Sequence, residues 1–511
     1  MKKLVLLRRS SQLIFLSLFV YILWSTTYPM TGIFPPATFF SLDPLLVMMT
    51  SISERVIVAG FLYSLGMLAL AAVFGRLFCG WVCPIGACVD MAGTTQRRKA
   101  VLSDEHNSLI SKPKFYILTL ILVIAIYGRQ IAWVMDPIAL AGRFVSLNLI
   151  PATTFILNKI FAILIRDMGM TGAVRDLYHS LKPTFLGVKA YYFSNAGIVL
   201  IYFIAVAGAS LILRRLWCRM LCPLGALYAL AGSAAPFKRI VDKCLLCENC
   251  GNECRMGAIR RDMSYVRGEC VLCMDCVYRC PARGVRFGFG LPRPAEEAPG
   301  RDAISRGQFL SFLTASAASF ISIPFLKADP AEASETDDAR RVGIIRPPAA
   351  LEEIDFKDRC VRCGNCMKVC VTNGLQPVML EAGYSGIWTP RLMPNIGYCE
   401  YKCTLCGKTC PTGAIPPLTL ERKMRTRLGV AEVDKSKCLP WAEGKECIVC
   451  QEHCPVAEKA IALDVDPVSG LQKPRIVEEL CVGCGICQNK CPVRPLRAVT
   501  VSPRVSDRTR V

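Results

Sequence analysis

Apolar runs of about the 20 residues needed to cross a bilayer occur near 12–30, 56–78, 115–135 and 191–213. Basic residues flank them on alternate sides. Lys2, Lys3, Arg8 and Arg9 precede the first run; Arg97, Arg98, Lys99, Lys112 and Lys114 lie between the second and third; Arg214, Arg215 and Arg219 follow the fourth. The positive-inside rule makes the N-terminus and both later segments cytoplasmic. No small-residue cleavage site follows the run at 13–24, so it is expected to remain as an anchor. A weaker stretch at 149–165, interrupted by Asn158 and Lys159, reads as an interfacial or re-entrant segment. The mildly apolar 309–326 lies between Arg301 and Arg306 on one side and the acidic run 329–338 on the other. That pattern fits either a fifth span or an amphipathic linker.

The membrane pattern occurs twice. The stretch 76–87, RLFCGWVCPIGA, after the second run matches 215–226, RLWCRMLCPLGA, after the fourth, and Asp43-Pro44 after the first run matches Asp136-Pro137 after the third. Each half therefore reads as a span, Asp-Pro on the outer side, a second span, and CxxxCP on the inner side. Duplicated membrane halves often build a site at their interface.

Beyond residue 243 the long apolar runs give way to cysteines. Of the 29 in the chain, 24 form six quartets sharing the core CxxCxxxC. Four are regular: Cys244, Cys247, Cys250, Cys254; Cys270, Cys273, Cys276, Cys280; Cys360, Cys363, Cys366, Cys370; and Cys481, Cys484, Cys487, Cys491. Two have a longer first gap: Cys399, Cys403, Cys406, Cys410 and Cys438, Cys447, Cys450, Cys454. Three thiolates on a tight loop can wrap one 4Fe-4S cluster while the fourth cysteine ligates a neighbour, so quartets are expected to work in pairs. For the first pair, Cys244, Cys247 and Cys250 should share a cluster with Cys280, and Cys270, Cys273 and Cys276 with Cys254. Structural zinc would show separated CxxC pairs, and a disulfide framework belongs to small secreted chains.

Composition supports a membrane protein: 53% of residues are hydrophobic and the mean hydropathy is +0.38. The net charge of +21 is uneven, since residues 1–243 carry 24 Lys and Arg against 9 Asp and Glu. The surplus thus accompanies the apolar half, and nucleic-acid binding is not expected. The histidines, His106, His179 and His453, lie outside the expected spans, and neither a CxxCH motif nor a dinucleotide or P-loop fingerprint occurs, so haem and flavin are not expected.

These motifs resemble a known pair of proteins. The CxxxCP repeat on a four-span core, followed by the two quartets at 244–280, resembles NapH, the membrane quinol dehydrogenase component of periplasmic nitrate reduction, and its relatives NosR and CcoG. Residues 305–511 resemble the NapG and MauM ferredoxin-type proteins, through the Arg-headed leader 305–310 and four quartets including 398–406, YCEYKCTLC. The resemblance implies a fusion in which quinol electrons pass through clusters toward a periplasmic reductase, with the NapG part exported by the twin-arginine route. The leader carries Arg306-Gly307 where that signal has two arginines, so residues 351–511 remain open between periplasm and cytoplasm. Spacing allows the last four quartets to pair sequentially or nested. The resemblance to four-cluster electron-transfer subunits implies nesting: Cys360, Cys363, Cys366 with Cys491; Cys370 with Cys481, Cys484, Cys487; Cys399, Cys403, Cys406 with Cys454; and Cys410 with Cys438, Cys447, Cys450.

The expected architecture is a membrane α-helical core followed by α+β ferredoxin-like modules. Residues 1–242 form the NapH-like core of four spans, 243–290 a two-cluster module, 291–350 a linker with the fifth span or leader, and 351–511 a NapG-like four-cluster module. The expected function is electron transfer from quinol, through six 4Fe-4S clusters held by the 24 cysteines, to a partner oxidoreductase. The protein is placed in the bacterial inner membrane, in contact with lipid and the quinone pool. Asp43 and Asp136 are candidates for the quinol site, although Asp-Pro is also the signature of a helix N-cap. Cys79, Cys83, Cys218 and Cys222 have three readings: a four-thiolate metal site, redox-active thiols, or structural contacts; Cys88 is a fifth cysteine outside the quartets. Two rival functions remain: quinone reduction by the reverse flow, and maturation of a metalloenzyme through the CxxxCP thiols.

Overall fold

A computed structural model describes residues 2–28, 30, 35–94, 103–170, 172–182, 186, 191–260, 263–290 and 343–503. They form two compact units. The expected fifth span at 309–326, and the leader with Arg306, lie outside the described residues.

The first unit comprises described residues of 1–23, 37–145 and 197–290. Among the described residues three helices are long and apolar enough to cross a membrane: Lys3–Ser25, Asp104–Ile126 and Pro137–Asp167. The expected spans at 56–78 and 191–213 are the shorter helices Phe61–Phe74 and Ala196–Ile212. Backbone conformation shortens them: Gly60 and Gly75 bound the first at φ 94° and 70°, and Asn195 precedes the second at φ 61°. A 14-residue helix spans only about 21 Å, less than the roughly 30 Å hydrocarbon layer.

The stretch 149–165, expected to be interfacial or re-entrant, instead belongs to the 31-residue apolar helix Pro137–Asp167. Its polar interruption is absorbed locally. Asn158 donates to Thr154 O at 2.8 Å and accepts from the Tyr178 hydroxyl at 3.1 Å, and the stem of Lys159 can lie along the helix while its charge reaches a polar boundary.

The core of this unit is built around short helices that begin inside the protein. Pro44–Glu54 and Pro137–Phe144 start with proline behind an aspartate cap, and Leu45, Leu46, Ile138, Ala139 and Leu140 are completely or almost completely buried. Pro84–Thr94 and Pro223–Ala231 start in the same way after the second cysteine of each CxxxCP. The unit closes with strand β1 (Phe237–Val241) paired antiparallel to β2 (Val285–Phe289), which bracket the first two quartets.

The second unit comprises described residues of 24–36, 146–196 and 343–503. Its antiparallel pairs are β3 (Leu375–Pro377) with β4 (Pro390–Leu392), β5 (Val430–Val433) with β8 (Val499–Ser502), and β6 (Ile461–Val465) with β7 (Gln472–Ile476). The β3–β4 pair lies between the third and fourth quartets. β5 and β8 bracket the fifth and sixth, with β6–β7 between them.

Candidate functional site

The regular quartets share one backbone device. In each, the residues just before and just after the second cysteine take positive φ: Leu246 and Glu248, Leu272 and Met274, Arg362 and Gly364, Gly483 and Gly485. Such left-handed turns aim successive N–H groups into one concavity, which suits an anionic cluster. Leu246 N–H donates to Cys244 Sγ at 3.4 Å, and Leu272 N–H to Cys270 Sγ at 3.4 Å. Leu, Arg, Glu and Met there carry a steric cost that the surrounding structure must hold in place.

The cysteines gather as three from one quartet and one from another. Cys244, Cys247, Cys250 and Cys280 line one hollow, and Cys270, Cys273 and Cys276 interact electrostatically with Cys254, as expected for the first pair. In the second unit Cys360, Cys363 and Cys366 meet Cys410, while Cys399, Cys403 and Cys406 meet Cys370. Cys481, Cys484 and Cys487 meet Cys454, and Cys438, Cys447 and Cys450 lie with Cys491. This is sequential pairing, and the nested pairing is corrected. The reason is local: each pair of quartets folds around its own short β pairs, so each fourth cysteine returns to its sequence neighbour.

The four cradles of the second unit are linked in series. Cys366 interacts electrostatically with Cys406 and Cys410, linking the first and second. Cys399 N–H donates to Cys484 O at 2.8 Å, joining the second to the third, and Cys487 interacts with Cys450 of the fourth. The first cradle adjoins the long helix, because a side chain at Gly364 would touch Ser146 and Leu147, and Ser146 Oγ lies 3.4 Å from Asn365 Oδ1. Lys368 donates to the carbonyls of Trp24 and Thr26 at 2.8 and 2.6 Å. Burial brings its pKa down to about 7.

In the first unit Asp43 and Asp136 are completely buried; they do not stand on an outer surface. Both are helix caps: Asp43 Oδ1 accepts from Leu45 and Leu46 N–H at 2.9 and 3.3 Å, and Asp136 Oδ1 accepts from Ala139 N–H at 2.7 Å. Capping explains one oxygen of each. The two carboxyl groups interact electrostatically with each other, and neither Oδ2 has a hydrogen-bond partner among the described residues. Burial, and then the neighbouring Asp136, raise the pKa of Asp43, and burial raises that of Asp136, which favours protonation of the pair. Tyr228 interacts electrostatically with both aspartates and with Cys79 and Cys83, so acid pair and cysteines are neighbours.

Cys79, Cys83, Cys218 and Cys222 are all buried and interact electrostatically as one group. Cys83 Sγ accepts from Gly86 N–H at 3.4 Å and Cys222 Sγ from Gly225 N–H at 3.3 Å, so each opens its helix as a cap. Two arginines cross between the repeats. Arg76 donates to Cys218 O at 3.2 Å, and Arg215 to Cys79 O at 3.1 Å. Cys88 lies apart on the helix Pro84–Thr94, where burial pushes its thiol up to about 11.

Two acids that sequence reasoning missed balance the buried cations. Asp90 meets Arg215 at 2.8 Å, Arg8 at 3.1 Å and Arg255 at 3.1 Å. Burial alone would raise the pKa of Asp90, but Arg215, Arg255 and Arg8 outweigh it and hold the carboxyl well below the usual range. Glu269 meets Lys114 at 2.5 Å and Arg76 at 2.9 Å. Through Arg255 and Glu269 these networks fasten the two-cluster module to the helical core. Contact is closest at Gly80, where any Cβ would collide with Val271 O. Trp81 Nε1 donates to Leu272 O at 3.0 Å beside it.

Among the described residues, no three His, Cys, Asp or Glu side chains are placed to hold a single metal ion. The cysteine cradles instead suit clusters, whose thiolates surround several irons and stand farther apart than ligands of one ion.

A family model described as a 4Fe-4S binding domain matches residues 56–100 and 195–243, and another with that description matches 474–497. The methylamine utilization ferredoxin-type protein MauM of Methylorubrum extorquens is 35% identical over 166 residues, covering 31% of this chain and 73% of the relative. The ferredoxin-type protein NapG of Escherichia coli is 34% identical over 161 residues, covering 30% of this chain and 68% of the relative. NapF of the same organism is 29% identical over 159 residues, covering 30% of this chain and 84% of the relative. No solved structure matches.

Proposed function

We propose, since this chain belongs to the family of ferredoxin-type iron-sulfur proteins that includes MauM and NapG, that it oxidises quinol in a membrane. It passes the electrons through six 4Fe-4S clusters to a partner oxidoreductase, such as one of a nitrate reductase system. The helical half acts as a NapH-type partner fused to the NapG-type module. When bound, the clusters supply one-electron transfer at the 24 quartet cysteines.

One observation carries the quinol reading: the acid pair has two Oδ2 atoms that capping does not use. Oxidising a quinol to a quinone releases two electrons and two protons. Asp43 and Asp136, sharing one proton, have room at an Oδ2 for one quinol proton at a time, so the two protons leave in turn, the first passing out of the pair before the second is taken up. An ionisable pair within a helical membrane core is a functional-site candidate on physical grounds. The buried arginines balance charge on the cysteine side of the core.

The topology follows from the same reading. With the N-terminus cytoplasmic by its basic residues, the end of the first long helix is periplasmic. The bonds of Lys368 to Trp24 and Thr26 favour a periplasmic place for the four-cluster module.

The test compares Asp43→Asn and Asp136→Asn with the wild type. Each variant should keep its iron and its cap, since an amide oxygen still accepts from backbone N–H, while quinol oxidation slows about 100-fold or more. Unchanged rates with both variants would remove the acid pair from the mechanism.

A further inference from the structure

The CxxxCP cysteines stand where a redox centre is needed. On one side Tyr228 interacts with both the acid pair and with Cys79 and Cys83. On the other, Gly80, inside the first CxxxCP, packs against the backbone of Val271 between two ligands of the nearest ferredoxin cradle. Four buried thiols contributed by two repeats interact as one group here.

We infer that Cys79, Cys83, Cys218 and Cys222 hold a further 4Fe-4S cluster, additional to the six of the ferredoxin quartets. Four thiolates contributed by two loops match the four cysteine ligands of a cubane. Four thiolates on a cubane leave a net negative charge, and two buried guanidiniums, Arg76 and Arg215, reach across the repeats onto this group. Backbone N–H groups of Gly86 and Gly225 already point at two of the sulfurs, as at the ferredoxin cradles. Neither glycine has room for a side chain: a Cβ at Gly86 would strike Cys79 O at 2.6 Å, and one at Gly225 the guanidinium of Arg76 at 2.5 Å. The family model over 56–100 and 195–243 contains these cysteines and no member of a regular quartet, which agrees with the assignment.

Held by these four cysteines, such a cluster would supply one-electron transfer toward the cradle of Cys254, Cys270, Cys273 and Cys276, with no bond to cysteine formed or broken. Only the identity of its donor rests on the quinol reading. The site itself does not, so its test uses no quinol.

Full-length protein, purified anaerobically in detergent, is analysed for iron and by Mössbauer and electron paramagnetic resonance spectroscopy. The double variant Cys83→Ser/Cys222→Ser should lose about four irons per chain relative to wild type, with the remaining cluster signals intact. The single variant Cys222→Ser, which leaves three thiolates and a serine oxygen, should shift the signal or midpoint potential of one cluster. Cys88→Ser, outside the group, should change neither reading. Full iron in the double variant, or no shifted cluster in the single one, overturns the proposal; a dithiol or structural role predicts that result. If the double variant fails to fold, the single variant decides alone.

Discussion

Asp90 is held by three cations and by Gln12, and its charge ties the cations together. Asp90→Asn removes the charge that Arg8, Arg215 and Arg255 share, while Arg8 and Arg255 keep Asp275. Breaking such a buried network costs about 3–5 kcal/mol, so thermal unfolding in detergent should shift clearly downward. Cys88 gives a pH signature of opposite sign. Its thiol ionises near 9 when unfolded and near 11 when folded, so the unfolded chain binds fewer protons in that window and stability falls as pH rises from 9 to 11. Cys88→Ser should flatten part of that alkaline limb in pH-dependent unfolding. The sequence showed some of this residue-level chemistry. Arg76 and Arg215 recur before each CxxxCP and Asp-Pro announces a cap, but Asp90 and Glu269 carry no spacing signal. The approach of the two aspartates depends on how the repeats pack, which no local pattern encodes.

At the scale of elements, cysteine spacing revealed the CxxC loops because each must make the same left-handed turn around the second cysteine. It did not reveal which quartets pair, since sequential and nested closures use the same spacing. The short β pairs decide it, and they are too brief to stand out from periodicity. The double variant Cys360→Ser/Cys410→Ser distinguishes the closures. Sequential pairing puts both residues on one cluster, so about four irons should be lost; nested pairing would leave two clusters with one serine ligand each and shift two signals instead. Helix lengths were misjudged for a similar reason: apolar runs at 56–78 and 191–213 continue past residues whose positive φ ends or begins the helix, whereas Asn158 interrupts the apolar pattern without interrupting the helix.

For the whole molecule, the account joins a duplicated helical core to iron-sulfur modules in each unit. In the first unit the order runs from the acid pair through Tyr228 and the four CxxxCP cysteines to the two-cluster module. In the second, four cradles run from the Ser146 end of the long helix toward Cys438 and Cys491. Such a sequence of one-electron sites suits transport between partners better than chemistry on a soluble substrate. The most direct test adds a reduced quinol to the anaerobic, oxidised protein and follows the clusters by electron paramagnetic resonance. The account predicts cluster signals that grow with quinol and are slowed in Asp43→Asn; clusters that stay oxidised with every quinol of suitable potential, yet are reduced by dithionite, would contradict it.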